Sequence, residues 1–295
     1  MSTNFAPCYR HPRRETAVRC QHCEQPICTQ CMVSAAVGFQ CPDCVKSGMN
    51  RTRQWSVGAR TPLVVTPTLI GLNVLVWFVV VAATGDISLW GGEVTTVHRD
   101  FALHGPSVDN GDYWRLVTSG FLHYGLLHLG MNMLVLWWLG RTLEPAIGGL
   151  RLLMIYSVAL LGGSLGALVL DPGLRVATAG ASGAVFGLGG AVVVAERTFR
   201  LDRQDSGVLG FLLINIVISL AIPGISMGGH IGGLLLGVLA AAVLWGFTNW
   251  SAFSRATITL YPLRLLPDLM VLALGAGTVW LTLNVVTPRW HDPFF

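Results

Sequence analysis

Seven long apolar runs separated by short polar stretches leave this chain little choice but to fold across a lipid bilayer. In hydrocarbon every backbone N–H and C=O must find a partner within the protein, so only helices and closed barrels span it. About 20 apolar residues cross as a helix, and the runs have that scale. They are read as Thr66 to Thr84, Phe121 to Leu139, Leu150 to Leu170, Ser182 to Ala195, Val208 to Ile222, Gly229 to Phe247 and Pro267 to Val286. Of the 295 residues, 53% are hydrophobic and 12% charged, against about 25% charged in soluble domains. The expected fold class is therefore all-α and polytopic. The first 60 residues lack a basic start followed by a short apolar core, so no signal peptide is visible and the first run is expected to remain as a spanning helix.

Topology follows Lys and Arg in the loops flanking spans. Arg51, Arg53 and Arg60 precede the first span, Arg141 and Arg151 follow the second, Arg197, Arg200 and Arg203 follow the fourth, and Arg255 and Arg264 follow the sixth. The opposite loops carry only Arg99, Arg115, Arg175 and Arg289. This predicts a multi-pass protein of the cell membrane with a cytoplasmic N-terminus and, for seven spans, an external C-terminus. The expected organisation is a zinc-binding head at 1–46, a linker at 47–65, a six-span core at 66–249, a cytoplasmic linker at 250–266, a seventh span at 267–287 and an external tail at 288–295. The segment from Asp86 to Gly120 is too long for a simple connector and is expected to form a structured outer lobe. Ala177 to Ala181 is small and weakly apolar, so the fourth helix should begin below the membrane surface, with Ser182 at the floor of a cavity.

All seven cysteines lie between Cys8 and Cys44 and form, with His11, four pairs of one spacing: Cys8 with His11, Cys20 with Cys23, Cys28 with Cys31, and Cys41 with Cys44. Two such pairs close a tetrahedral zinc site, so the eight ligands predict two structural zinc ions. An interleaved arrangement joins Cys8, His11, Cys28 and Cys31 at one ion and Cys20, Cys23, Cys41 and Cys44 at the other; sequential pairing is the alternative. His22, between Cys20 and Cys23, can compete as a ligand. A disulfide framework fits poorly with an odd cysteine count on a reducing side. The region resembles a B-box-type zinc finger, which implies a cytoplasmic protein partner rather than catalysis. Nucleic acid is not an expected partner.

Ionisable groups at membrane depth are rare and mark functional sites. Here they are His123 and His128, with Asn132, in the second span, Ser182 opening the fourth and His230 near the start of the sixth. Apart from Asp268 at the very start of the seventh, no Asp or Glu falls inside the expected spans, and no His-Glu-x-x-His occurs, so intramembrane aspartyl and zinc-protease chemistry lack their acids and ligands, as does transport built on buried carboxylates. What remains is a serine needing a base, and a histidine can accept its proton at neutral pH. The fourth and sixth spans run the same way from similar depth, which can bring Ser182 and His230 within hydrogen-bond reach. Gly233 and Gly237 follow His230 as a small-residue stripe that lets backbones approach, and Gly183, Gly187 and Gly190 offer small surface in return. His128 and Asn132, four residues apart on one helix face, are read with the Ser182 N–H as oxyanion donors. Phe186, one turn below Ser182, is expected to stack on His230. No cofactor is expected for catalysis.

These residues resemble the rhomboid family of intramembrane serine proteases. The resemblance rests on Trp114-Arg115, His123-x4-His128-x3-Asn132, Gly180-Ala181-Ser182-Gly183 and Gly229-His230-x2-Gly233-x3-Gly237, in family order. It implies Ser182 as nucleophile, His230 as base, His128 and Asn132 as oxyanion donors, transmembrane protein substrates, and lateral admission past the fifth span and the loop before the sixth. Phe186 stands where many relatives have Tyr. The head and the seventh span lie outside the six-helix core. The alternative function is a non-catalytic rhomboid-like protein that binds membrane clients while the head recruits a partner. A channel or transporter would need the buried charge and internal repeats that are missing. Trp114 and Arg115 are expected to serve the outer loop structurally, His123 to shape the cavity or bond to backbone, and His98, His104 and His291 to be solvated.

Overall fold

The apolar runs are helices whose ends are set by backbone-bonding demands. A computed structural model describes residues 5–34, 38–46, 62–85, 87–89, 94–171, 177–199, 207–222, 224–249 and 265–287. Most of both expected linkers, the tail with His291 and many of the topology arginines, Arg51 to Arg60 and Arg255 to Arg264 included, lie outside the described residues. The chain divides into two compact units, Met1–Val57 and Gly58–Phe295.

The first unit is built on two short antiparallel ladders: β1 (Ala6–Pro7) with β2 (Glu15–Thr16), and β3 (Val33–Ser34) with β4 (Phe39–Gln40). Ile27 is its one fully buried aliphatic side chain among the described residues, set among Cys8, Cys20, Cys28, Cys31 and Cys41. So little apolar surface cannot stabilise a fold of this length without staples.

The second unit is a polytopic all-α membrane bundle. Helix α1 (Val65–Thr84) ends at Gly85, whose left-handed φ of 72° returns its N–H to the Val81 carbonyl. The outer lobe then forms α2 (Thr96–Phe101), α3 (Gly105–Asp109), α4 (Arg115–Thr118) and a 3-10 turn at Ser119–Phe121. The remaining helices are α5 (Leu126–Ile147), α6 (Gly149–Leu170), α7 (Ser182–Phe199), α8 (Val208–Ala221), α9 (Met227–Asn249) and α10 (Leu266–Leu281), which continues as a π turn, Thr282–Val286.

Among the described residues, α1, α6, α9 and α10 with its π turn are long and apolar enough to cross a membrane. Helix α8 is apolar but shorter. Helices α5 and α7 are diluted by the polar residues they carry, among them His128, Asn132, Arg141 and Glu144 on α5 and Glu196 and Arg197 on α7. The bundle also corrects two expectations. Helix α5 starts at Leu126 rather than Phe121, because its first free N–H groups bond to the carbonyls of Ser88 and Leu89 and the preceding residues turn into the lobe. It runs on to Ile147, and α7 to Phe199, so two buried acids do belong to these helices: Glu144 and Glu196. Glu144 accepts from the N–H groups of Val64, Val65 and Thr66 at 2.7, 2.7 and 2.8 Å and from the Thr66 hydroxyl at 2.6 Å. A buried carboxylate needs such partners, and the N-terminal end of α1 supplies unpaired donors and positive dipole together.

The centre of the bundle is glycine against glycine. A Cβ on Gly162 of α6 would lie 2.7 Å from the Gly232 carbonyl oxygen of α9, and one on Gly233 would lie 2.9 Å from Gly183 Cα of α7. Real Cβ atoms do not come so close, so any side chain would push these helices apart. Helix α10 joins α6 through a two-pronged ion pair from Arg151 to Asp268, at 2.8 and 3.0 Å.

Candidate active site

Ser182 is the first residue of α7, and its approach is built from extended backbone. Thr178 exchanges both backbone bonds with Leu103 of the outer lobe at 2.8 Å, the Tyr124 hydroxyl donates to the Ala177 carbonyl, and Gly180 N–H donates to Ser119 O at 2.9 Å. Gly180 has φ 140°, which disfavours any residue with a Cβ. The space is also taken: a Cβ there would meet His128 Cε1 and Nε2 at 2.8 and 2.9 Å and Ser182 Oγ at 3.7 Å. The ring of His128 and the serine hydroxyl thus border the same glycine.

His230 sits one turn into α9, whose start is braced by Asp171 from the end of α6. That carboxylate accepts from the Ser226 hydroxyl at 2.7 Å and from Gly228 N–H at 3.0 Å, while Ser226 Oγ accepts from Gly229 N–H at 2.9 Å. The close contact of α7 and α9 at Gly183 and Gly233 then leaves His230 Nε2 and Ser182 Oγ 2.8 Å apart. Phe186 lies flat on the imidazole, with centroids 4.2 Å and planes 12° apart. His230 Nδ1 meets Ser219 Oγ of α8 at 2.7 Å.

Asn132 does not reach toward Ser182: its amide donates to the His128 carbonyl at 2.9 Å, one turn back on its own helix. His123 is buried before α5, accepts from Ala181 N–H at 3.4 Å and stands edge-on to His128 at 5.0 Å. It therefore holds the loop into Ser182 rather than facing the hydroxyl. Trp114 is half exposed and donates to Asp100 O. Arg115 is buried and ties the lobe together, bonding to Asp112, Arg99 O and Ala102 O at 2.7 to 2.9 Å. His98 corrects an expectation: it is buried, stacked on Tyr124 at 4.6 Å and bonded to Thr95 at 2.8 Å. His104 is half-buried and bonded to Ser107. Asp171 and Ser219 were missed in the sequence, since each acts across helices distant along the chain. A hydroxyl within an apolar helix is the only signal Ser219 gives.

In the N-terminal unit, Cys8, His11, Cys28 and Cys31 form one group and Cys20, Cys23, Cys41 and Cys44 another, the ligand atoms of each lying within 4.8 Å of one another. These are the interleaved sets. Four-coordinate zinc with bonds near 2.3 Å separates its sulfurs by about 3.8 Å, and Cys23 Sγ and Cys41 Sγ are 3.8 Å apart. A disulfide would need about 2.05 Å. His11 Nδ1 lies 3.4 and 3.3 Å from Cys28 and Cys31. Both groups therefore fit a tetrahedral metal ion. His22 is exposed, with its Nδ1 3.6 Å from Cys44 Sγ at the edge of the second group. Burial pushes the Cys8 and Cys20 thiols up, but surrounding backbone N–H groups, from Cys28 at Cys8 and Cys23 at Cys20 foremost, outweigh it and hold both at about 6. At those two positions that favours the thiolate, the form that binds metal, whereas burial and the neighbouring Cys8 and Cys28 push Cys31 up to about 11, and Cys41 and burial raise Cys44.

Residues 110–247 match the rhomboid domain. The chain is 32% identical over 222 residues to Rhomboid protease GluP of Bacillus subtilis (strain 168), covering 74% of this chain and 40% of GluP. It is 34% identical over 170 residues to RHOMBOID-like protein 5 of Arabidopsis thaliana, covering 55% of each. Over 192 residues it is 30% identical to YdcA of Bacillus subtilis (strain 168), covering 64% of this chain and 92% of YdcA. The chain thus spans about half the length of the first two relatives.

Proposed function

The chain belongs to the rhomboid family, and from that premise we propose that it is an intramembrane serine endopeptidase cleaving a peptide bond in or near transmembrane segments of other membrane proteins. The observation that carries this reading is the 2.8 Å approach of His230 Nε2 to Ser182 Oγ. In the proposed reaction His230 takes the hydroxyl proton as Ser182 attacks the scissile carbonyl. The resulting imidazolium returns the proton to the leaving amine, and water repeats the cycle to release the acyl-enzyme. The oxyanion would be met by His128, by Asn132 after its amide swings from the His128 carbonyl, and by the Ser182 N–H, which as a first-turn helix N–H has no partner within the helix. Phe186 holds the ring by stacking where other serine proteases use an acid.

The same reading gives the chain two zinc ions in a B-box-like head at 1–46, a six-span core at 66–249 and a seventh span at 267–287, with the N-terminus cytoplasmic and the C-terminus external. The interleaved ligand groups support the head, where the metal would fix the loops and leave the surface for a protein partner. Labelling by a fluorophosphonate tests the catalytic claim. Wild type should be labelled, and Ser182→Ala and His230→Ala should lose both labelling and cleavage of a model transmembrane substrate. Equal labelling of wild type and Ser182→Ala would overturn the enzyme reading and leave client binding as the alternative.

A further inference from the structure

The short apolar helix α8 contributes a hydroxyl to the base that the two-residue reading leaves out. Ser219 of α8 is buried. Its Oγ donates to the Asn215 carbonyl one turn back at 2.7 Å and meets His230 Nδ1 at 2.7 Å. A serine hydroxyl has one proton and two lone pairs. With that proton directed to the Asn215 carbonyl, the oxygen can only accept from the imidazole, so Nδ1 carries the hydrogen. A neutral imidazole protonated at Nδ1 presents a lone pair at Nε2, the nitrogen 2.8 Å from Ser182 Oγ. Which ring nitrogen holds the proton is set by the bond its other nitrogen makes, and a base in the wrong tautomer cannot take a proton from its nucleophile.

We propose that Ser219 is a positioning residue that fixes the reactive tautomer of His230 and makes that tautomer depend on where α8 lies. The inference rests on the proposed roles of Ser182 and His230. The helix that carries Ser219 is the least enclosed of those around the site. Leu213, Ile214, Val217 and Leu220 are exposed on its outer face. Its inner face touches α7 and α5 through Phe211, whose ring lies 6.4 Å from Phe186 and 5.8 Å from Trp138. Few contacts hold α8 in register, so a shift of about one hydrogen-bond length would remove the acceptor from Nδ1 and release the ring to the other tautomer. The base is then set only while α8 is seated.

Two measurements on the full-length protein in detergent micelles decide the matter. In the first, the rate constant of fluorophosphonate labelling should fall about tenfold in Ser219→Ala and stay within about threefold of wild type in Ser219→Thr, which restores the hydroxyl; with a model transmembrane substrate the alanine variant should lose kcat and keep KM. A purely structural role would not give hydroxyl-specific rescue. In the second, the 15N signals of His230 should report Nδ1 protonated and Nε2 bare in wild type and a mixture in Ser219→Ala. Labelling of Ser219→Ala at the wild-type rate, or a wild-type His230 protonated at Nε2, overturns the proposal. Absence of labelling in wild type with Nδ1 protonated instead overturns the nucleophile reading, so the two failures are told apart.

Discussion

In the N-terminal unit the interior is sulfur and one isoleucine, with the cysteines and His11 gathered into two groups of four. In the membrane unit Gly162 meets Gly232 and Gly183 meets Gly233 backbone to backbone, with no room for a side chain. The solvents explain the difference. A small domain in water lacks the apolar area to fold and needs a staple. Helices in lipid gain nothing from hiding apolar area and instead gain from close packing, which small residues allow. A spacing code therefore marks the first unit and an absence of bulk marks the second.

The largest expected effect is on the head. Stripping zinc from the full chain, or Cys28→Ser, should remove a contribution on the order of 10 kcal/mol, read as lost metal stoichiometry and rapid proteolysis of the head. Fluorophosphonate labelling of Ser182 should stay within about twofold, and a large fall in labelling would break the separation drawn between the two units. Next comes Gly233→Leu, which would force α7 and α9 apart. It should cost about 3 kcal/mol in thermal unfolding of the bundle and abolish labelling, because the Ser182 to His230 approach depends on that contact; unchanged unfolding would refute the glycine account. The smallest is Glu144→Gln, which puts an amide donor against helix donors and should cost about 2 kcal/mol with zinc content unchanged.

Much of this was legible in the sequence because it repeats a period or breaks one. The starts of α1 and α6 lie within one residue of the expected spans, since an uninterrupted apolar run has few alternatives in lipid. Ser182, His128 and His230 stand out as polar residues in apolar runs, and the structure brings Ser182 to His230. The start of α5 was not legible, because Phe121 to Gly125 continues the apolar run, but Leu122 N–H turns back to Ser119 of the lobe and the Tyr124 hydroxyl donates to Ala177 before α7. The zinc groupings were undecided because all four pairs share one spacing, and only the fold of the head selects between them. Asp171 bracing α9, Glu144 capping α1 and Ser219 touching His230 are partnerships between residues 11 to 80 positions apart. No local pattern encodes them.

The Glu144 clamp carries a consequence for biogenesis. The donors that begin α1 are satisfied by a residue near the end of the second long helix, 78 to 80 positions later. Until that residue is in place, the leading turn of the first segment can find partners only in water, so the two helices should gain their stability together, and a chain cut before Glu144 should hold its first segment less firmly in the bilayer.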